Sequence, residues 1–362
     1  MPRLDICNQR LVNQHLIKQS LETPSDVVRL LGAVQAQDYG LAKWGVAQRT
    51  LDATDADVER ELSDGAILRT HVLRPTWHFV LAGDIRWMLA LTGPRVERVL
   101  AHYDRKLEID AAVLRRSRAA ITKALEGGKQ LTRTELAKAM QRARIRTDGT
   151  QRLARLVMHA ELDALICSGA RRGNQHTYAL LDERVPPTKP LERDAALVEL
   201  AKRYFATRGP ATVDDFAWWS GLTKTDGRKG LEGAESGLER EVVDGRQYWF
   251  PTPTRLKAKS PLVRLLPNYD EYFIGLKDRS AMLSTLKRLG FEGDVSFLGG
   301  HILTVDGQVV GGWRRILKGK KLVVDLKGPT TFKGIERRAI EKEVQRFGGF
   351  VGTPVELATS TA

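Results

Sequence analysis

Apolar residues recur at helical spacing behind a polar cap in three places along the chain. In TPSDVVRLLGAVQ, Thr23 is a cap candidate, Pro24 takes the first helical position and Asp26 stands three residues after the threonine; Val27, Leu30, Leu31 and Val34 follow on one face. The same device opens LTRTELAKAM, with Thr132 and Glu135, and PATVDDFAWWSGL, with Thr212 and Asp215. A capping box alone is common, but the segments downstream of the boxes repeat as well. After the second comes QRLARLVMHAELDALI, with Leu153, Leu156, Val157 and Ala160 on one face and Arg152 and Arg155 off it. Next is the strand, loop and strand pattern LICSGARRGNQHTYALL, whose loop carries Arg171 and Arg172. After the third come a glycine-broken segment to Gly237 and LEREVVDGRQYWF, two short strands around Asp244-Gly245, a dipeptide suited to a type I′ hairpin. The N-terminal copy is less regular: a helix from Thr23, a second helical run ADVERELSDG, then ILRTHVLRPTWHFV, whose Val72, Trp77, Phe79 and Val80 suit a strand.

Helix, turn, helix and basic wing is the order of a winged helix-turn-helix, which gives one helix to a DNA groove and a loop to the backbone. The pattern predicts an α+β chain of three such modules in tandem, at 1–112, 113–190 and 191–259. DERVPPTKPLERD, residues 182–194, connects the second to the third, because its prolines disfavour helix. From about Ser260 the composition turns to strand-like runs, with a second Asp-Gly turn at Asp306-Gly307 in GHILTVDGQVVGGW, then KKLVVDLKG and one amphipathic helix, GIERRAIEKEVQRF. Residues 260–362 therefore form a β-rich C-terminal region.

Composition narrows the class. The 362 residues are 42% hydrophobic and 28% charged, so a core can be buried, and no apolar stretch reaches the roughly 18 residues of a membrane span. MPRLDICNQRLVNQ lacks a signal peptide's apolar core, and Cys7 and Cys167 give no disulfide framework, which fits the cytoplasm and, with DNA as partner, a bacterial nucleoid-associated location. The formal net charge of +14 favours a polyanion over a small neutral substrate. Basic residues are spread through mixed-sign segments, so a well-solvated surface, and winged helices used purely for protein contacts, are the competing readings.

Seven histidines, at 15, 71, 78, 102, 159, 176 and 301, show no zinc spacing, and no phosphate-cradling glycine motif is present, so no metal and no cofactor is expected. What remains is polar residues in apolar contexts. Gln35 and Gln37, two apart in GAVQAQDYG, point to one side only if the backbone leaves the helix near Gln35. Two convergent amides hold a water without ionising, which suffices when the leaving group is already activated; a cationic alkylpurine is one. The competing reading is a helix end or surface feature. RTHVLRPTWHFVLAGDIRWML gathers Arg69, His71, Arg74, Trp77 and His78, and LLPNYDEYFIGLKDRS gathers Tyr269, Asp270, Glu271, Tyr272, Lys277, Asp278 and Arg279. His78 and Asp270 could support a sugar cation, or be a hydrogen-bonded structural histidine and an ion-paired acid.

RLLGAVQAQDYG, LRPTWHFVLAGDIRWML, TVDDFAWWSGL and LLPNYDEYFIGLKDRS, in this order, resemble the winged-helix DNA glycosylases of the AlkZ/YcaQ type across nearly the whole chain. The resemblance implies a C-shaped array of three winged helices around a basic, DNA-sized channel. It implies excision of cationic N7- or N3-alkylated purines and unhooking of interstrand crosslinks. The family motif of glutamine, an apolar residue, then glutamine or aspartate falls on Gln35, Ala36 and Gln37, making the two glutamines catalytic. His78 and Asp270 are then supporting residues, and Arg74, Arg152, Arg155, Arg171, Arg172 and Arg279 contact DNA. The expected partner is double-stranded DNA carrying alkylated bases, met by a monomer. The groove-probing hairpin of the family has two candidates, the Asp306 and Asp244 turns. The alternative is a non-catalytic DNA-binding regulator or architectural protein.

Overall fold

The computed structural model describes residues 4–254, 256–257, 259–291, 300–319, 321–328, 332 and 334–358. After α1 (Ile6–Asn13), the chain runs α2 (Pro24–Leu31), β1 (Val34–Gln35), α3 (Tyr39–Ala47), α4 (Asp55–Asp64), β2 (Ile67–His71) and β3 (Trp77–Leu81). Helix α5 (Ile85–Lys106) leads to α6 (Ala111–Leu125), β4 (Leu131–Thr132), α7 (Arg133–Arg142), α8 (Thr150–Leu162), β5 (Ile166–Ser168) and β6 (Thr177–Leu180). A short α9 (Leu181–Arg184) opens the proline-rich connection to α10 (Arg193–Arg208), α11 (Val213–Ser220), α12 (Lys224–Ala234), β7 (Glu239–Val243) and β8 (Arg246–Phe250). The same unit thus recurs: helix, strand, two helices, two strands. Its sheet order is first, third, second in β1-β3-β2 and in β4-β6-β5. In the third unit the first strand shrinks to a single bridge from Ala211 to Trp249 beside the β7-β8 pair.

The capping boxes at Thr23, Thr132 and Thr212 all form, but not at equivalent places. Thr132 and Thr212 open the second helix of their units, whereas Thr23 opens the first. The second helix of the first unit is α3, capped by Asp38 through the Leu41 amide, and nothing in its periodicity announces it. All residues from Leu41 to Ala47 are buried: Ala42 and Val46 pack into the first unit, while Leu41, Trp44 and Ala47 pack on the C-terminal sheet. A helix buried all round has no polar stripe to read.

The glycine-broken stretch of the third unit is likewise a helix, α12. A Cβ at Gly230 would lie 2.8 Å from the Leu197 carbonyl oxygen, so the glycine lets α12 close onto α10, offsetting its helix-propensity cost of about 1 kcal/mol.

The C-terminal region comprises β9 (Val263–Leu266), α13 (Glu271–Ile274), α14 (Ser284–Arg288), β10 (His301–Val305), β11 (Gln308–Lys318), β12 (Lys321–Lys327), α15 (Gly334–Val351) and β13 (Val355–Leu357). The sheet order is β13-β12-β11-β10-β9, antiparallel except where β13 joins β12. Helix α15 covers it with Ile340, Val344, Phe347 and Phe350. Both Asp-Gly turns adopt the expected left-handed pair, with φ of 49° and 75° at Asp244-Gly245 and 50° and 78° at Asp306-Gly307. Among the described residues no helix is long and apolar enough to cross a membrane.

Candidate active site

Helix α2 stops at Leu31 because Gly32 takes φ 74°, and the chain is already extended when it reaches the glutamines. Val34 and Gln35 pair with Phe79 and His78 of β3, the Ala36 amide donates to the Trp77 carbonyl, and Asp38 starts α3. Gln35 therefore sits on the short strand, and Gln37 on the bend, of the link that joins two helices.

Gln35 is buried and Gln37 exposed. Arg74 donates through Nη2 to Gln35 Oε1 at 2.8 Å, and the Trp77 amide donates to Gln37 Oε1 at 3.4 Å. Arg74 belongs to the segment linking β2 and β3 and Trp77 opens β3, so neighbouring residues of one hairpin orient both amides. Each carbonyl keeps a second lone pair and each amide two N–H donors, enough to accept a hydrogen bond from a water and donate one to it.

Beneath Gln35 lies a charge cluster that fixes its backbone. The Gln35 amide donates to Glu271 Oε1 at 2.8 Å. Glu271 Oε2 accepts from Arg208 Nη2 at 2.6 Å and Nε at 3.0 Å, and from Trp219 Nε1 at 2.9 Å. Arg208 also donates to the carbonyls of Leu31 and Ala33, at 2.9 and 3.0 Å, and lies 4.2 Å from the centre of the Trp219 ring. Both charged side chains are wholly buried. The end of α2, the start of β1, the third unit and the C-terminal region are thereby tied at one point.

His78 is also buried, directly across the sheet from Gln35. Its Nδ1 lies 2.9 Å from the Thr76 carbonyl oxygen and so carries the proton; Nε2 is left as a buried lone pair with no partner among the described residues. Burial, and then the charge of Arg74, hold its pKa well below the ordinary value, so the ring is neutral. Asp270 does not face the glutamines. It caps α13 through the Tyr272 amide and pairs with Arg49 at 2.8 and 3.0 Å, both side chains being buried. The acid that reaches the motif is its neighbour, Glu271, which sequence patterning could not separate from Asp270.

The basic residues divide. Arg74 lies against Trp218 at 5.6 Å, and Arg279 lies against Phe273 at 4.6 Å while donating to its carbonyl. Neither makes an ion pair among the described residues. Burial lowers the pKa of both, and Arg74 lowers that of Arg279 further. Arg172 is exposed beside Glu135, and Arg171 lies against Tyr39 at 5.0 Å. Arg152 and Arg155 are turned inward, contrary to expectation. Arg152 donates to the carbonyls of Arg146 and Leu107; Arg155 binds Asp104 and Glu97 of α5. Helix α8 buries this side against α5, so these guanidiniums join units and are not free for phosphate. Glu97, Asp104 and His159 stand close enough together for a metal ion, but Arg155 already supplies the cation there.

The family model for DNA glycosylase AlkZ-like proteins matches residues 28–350. The chain belongs to the AlkZ-like DNA glycosylase family. It is 26% identical over 370 residues to the interstrand DNA cross-link repair glycosylase of Streptomyces sahachiroi, covering 96% of this chain and 97% of that protein. Its fold is similar to that of the Streptomyces sahachiroi DNA glycosylase AlkZ, with a TM-score of 0.78 over 98% of each chain at 24% identity. In this AlkZ-like chain, then, the glutamine, alanine, glutamine run begins at the end of the first strand of the first unit, where the other units have Leu131-Thr132 and Ala211.

Proposed function

We propose that this protein is a monofunctional DNA glycosylase that removes cationic N7- or N3-alkylated purines and unhooks interstrand crosslinks, with Gln35 and Gln37 positioning the water. The observation that carries this reading is the pair of neutral amides held by Arg74 and the Trp77 amide on the link between α2 and α3. Glu271, the carboxylate bonded to Gln35, spends its oxygens on Arg208, Trp219 and the Gln35 amide, so it does not serve as a base. An amide pair suffices because the lesion is its own activated leaving group. The C1′–N9 bond breaks, its electron pair neutralises the purine cation, and the held water adds to C1′ and gives its proton to solvent.

In this reading the three repeated units are winged helix-turn-helix modules around a basic channel, and the protein meets duplex DNA as a monomer. The test is single-turnover release of N7-methylguanine from a duplex, with binding measured across a salt series. Release is expected, and log K should fall with log salt by about 0.9 for each phosphate neutralised. Salt-dependent binding without release of that base or of an N7-linked crosslink would leave a DNA-binding regulator or architectural protein.

Of the two hairpins suggested by Asp-Gly turns for entering a groove, the one at Asp306 packs against the body of the protein. Gly307 of that turn is buried: Tyr272 donates to its carbonyl at 2.9 Å, and a Cβ there would lie 3.1 to 3.2 Å from Leu11 and Cys7. We assign the role to the β11–β12 hairpin. Leu317 is 72% exposed near its tip, next to the exposed Lys318. Lower on the same strand, Arg315 comes within 3.4 Å of where a Cβ on Gly40 would be, in the first turn of α3. An apolar wedge among cations suits insertion between base steps. Leu317→Ala is expected to slow excision about tenfold, the cost of a lost wedge, with an unchanged melting temperature because the side chain is exposed; an unchanged rate would remove the hairpin from the mechanism.

A further inference from the structure

Between the first and second units lies a cavity of about 370 Å³, lined by Arg69, Trp77, Arg133, Gln175, His176 and Tyr178. It adjoins the glutamine motif through two bonds. Arg69 Nε donates to the Ala36 carbonyl at 3.1 Å, and the Trp77 amide is the donor to Gln37. The Arg69 guanidinium lies 4.3 Å from the centre of the Trp77 ring, and that of Arg133 lies 5.7 Å away. Among the described residues neither forms an ion pair with a carboxylate, although the charge of Glu161 acts on Arg69 and the His71 ring packs 4.3 Å from that of Trp77, so the cavity presents aromatic surface together with positive charge.

This charge decides the occupant. A cationic alkylpurine would be repelled by two guanidiniums, whereas a nucleotide brings a phosphate to meet them and a planar base for the indole. His176 adds no charge, since burial and then Arg69 hold its pKa down at about 4. The volume lies in the lower part of the range of small-molecule sites, roughly 300 to 1,000 Å³, which suits one nucleotide and no more. Gln175 lines the same cavity with an amide able to donate and accept, as a base edge requires.

We propose that this cavity receives one unmodified nucleotide turned out of the duplex beside the lesion, its base against Trp77 and its phosphate at Arg133. The proposal rests on the reading of Gln35 and Gln37 as the reacting centre on duplex DNA. Displacing a neighbouring nucleotide opens the stack around the glycosidic bond without asking the lesion itself to enter a pocket, which a crosslinked base cannot do.

The experiment compares binding of the full chain to a paired duplex and to duplexes with a single unpaired 2-aminopurine, placed in either strand. The wild type is expected to prefer the unpaired site by about tenfold, in the range for stacking one base on an aromatic ring, and to quench its fluorescence. Trp77→Ala should abolish preference and quenching while keeping affinity for the paired duplex; Trp77→Phe should keep both, and Arg133→Gln should weaken the preference. The strand that shows the preference identifies the nucleotide's source. Equal losses on both duplexes in Trp77→Ala, or no preference in the wild type, would overturn the proposal. Normal release of N7-methylguanine without a preference would discard the cavity and keep the glycosylase; a preference without release would do the reverse.

Discussion

The double variant Gln35→Ala/Gln37→Ala is expected to lose single-turnover release of N7-methylguanine by about a hundred- to a thousandfold at equal DNA occupancy, the range for removing one preorganised polar contact to a transition state. Each single variant should come close to the same loss, because residues that hold one water act as a unit and their effects do not add. Stability should change little. Gln37 is exposed, and Gln35→Ala leaves Arg74 short of one partner, worth about 1 kcal/mol, while the guanidinium keeps its place against Trp218. Gln37→Asp tests the role of the position: an exposed carboxylate accepts from water without a large desolvation cost, and release should largely survive. Release within threefold of wild type in the double variant would remove both glutamines from the chemistry.

The sequence carried the repeat because its signals are local. The Thr132 and Thr212 boxes and both Asp-Gly turns depend on residues within a few positions of each other, and all of them form. It hid α3 and α12 for opposite reasons. The first is buried on every side and lacks a polar face; the second carries glycines that look like breakers until α10 is seen pressed against them. Missing α3 shifted the first repeat by one helix, which is why the glutamines read as the end of a helix when Gln35 lies on a strand and Gln37 on the bend before α3. The site was legible only in the part carried by one stretch of chain. Gln35, Gln37 and Arg74 fall within forty positions, but the Glu271, Arg208 and Trp219 that anchor them come from far along the chain, and nothing local marks a charge as buried. The same blindness made Arg152 and Arg155 look like free cations, since helical spacing puts them off the apolar face without revealing that Asp104 and Glu97 lie opposite.

Glu271→Ala is expected to cost about 3 to 5 kcal/mol, because it strands the wholly buried Arg208 without a counter-charge. The unfolding midpoint should fall by roughly 5 to 15 °C. Activity should fall too, through the anchor: without Oε1 the Gln35 amide loses its acceptor, and without Oε2 Arg208 is freed from the geometry that pins the Leu31 and Ala33 carbonyls. Two further variants separate these effects. Glu271→Gln keeps an acceptor for Gln35 but loses the charge opposite Arg208, so its stability should drop while residual release exceeds that of Glu271→Ala. Glu271→Leu/Arg208→Met removes both charges and fills the space with apolar atoms, which for buried pairs often restores stability; it still gives Gln35 nothing to bond. Thermal unfolding and single-turnover release, measured on all three, decide the matter. A stable double variant with impaired release would make the ion pair a positioning device for the glutamine strand. Wild-type release from that variant would reduce Glu271 to a structural charge, and the alignment of Gln35 would then rest on its pairing with His78 and on Arg74 alone.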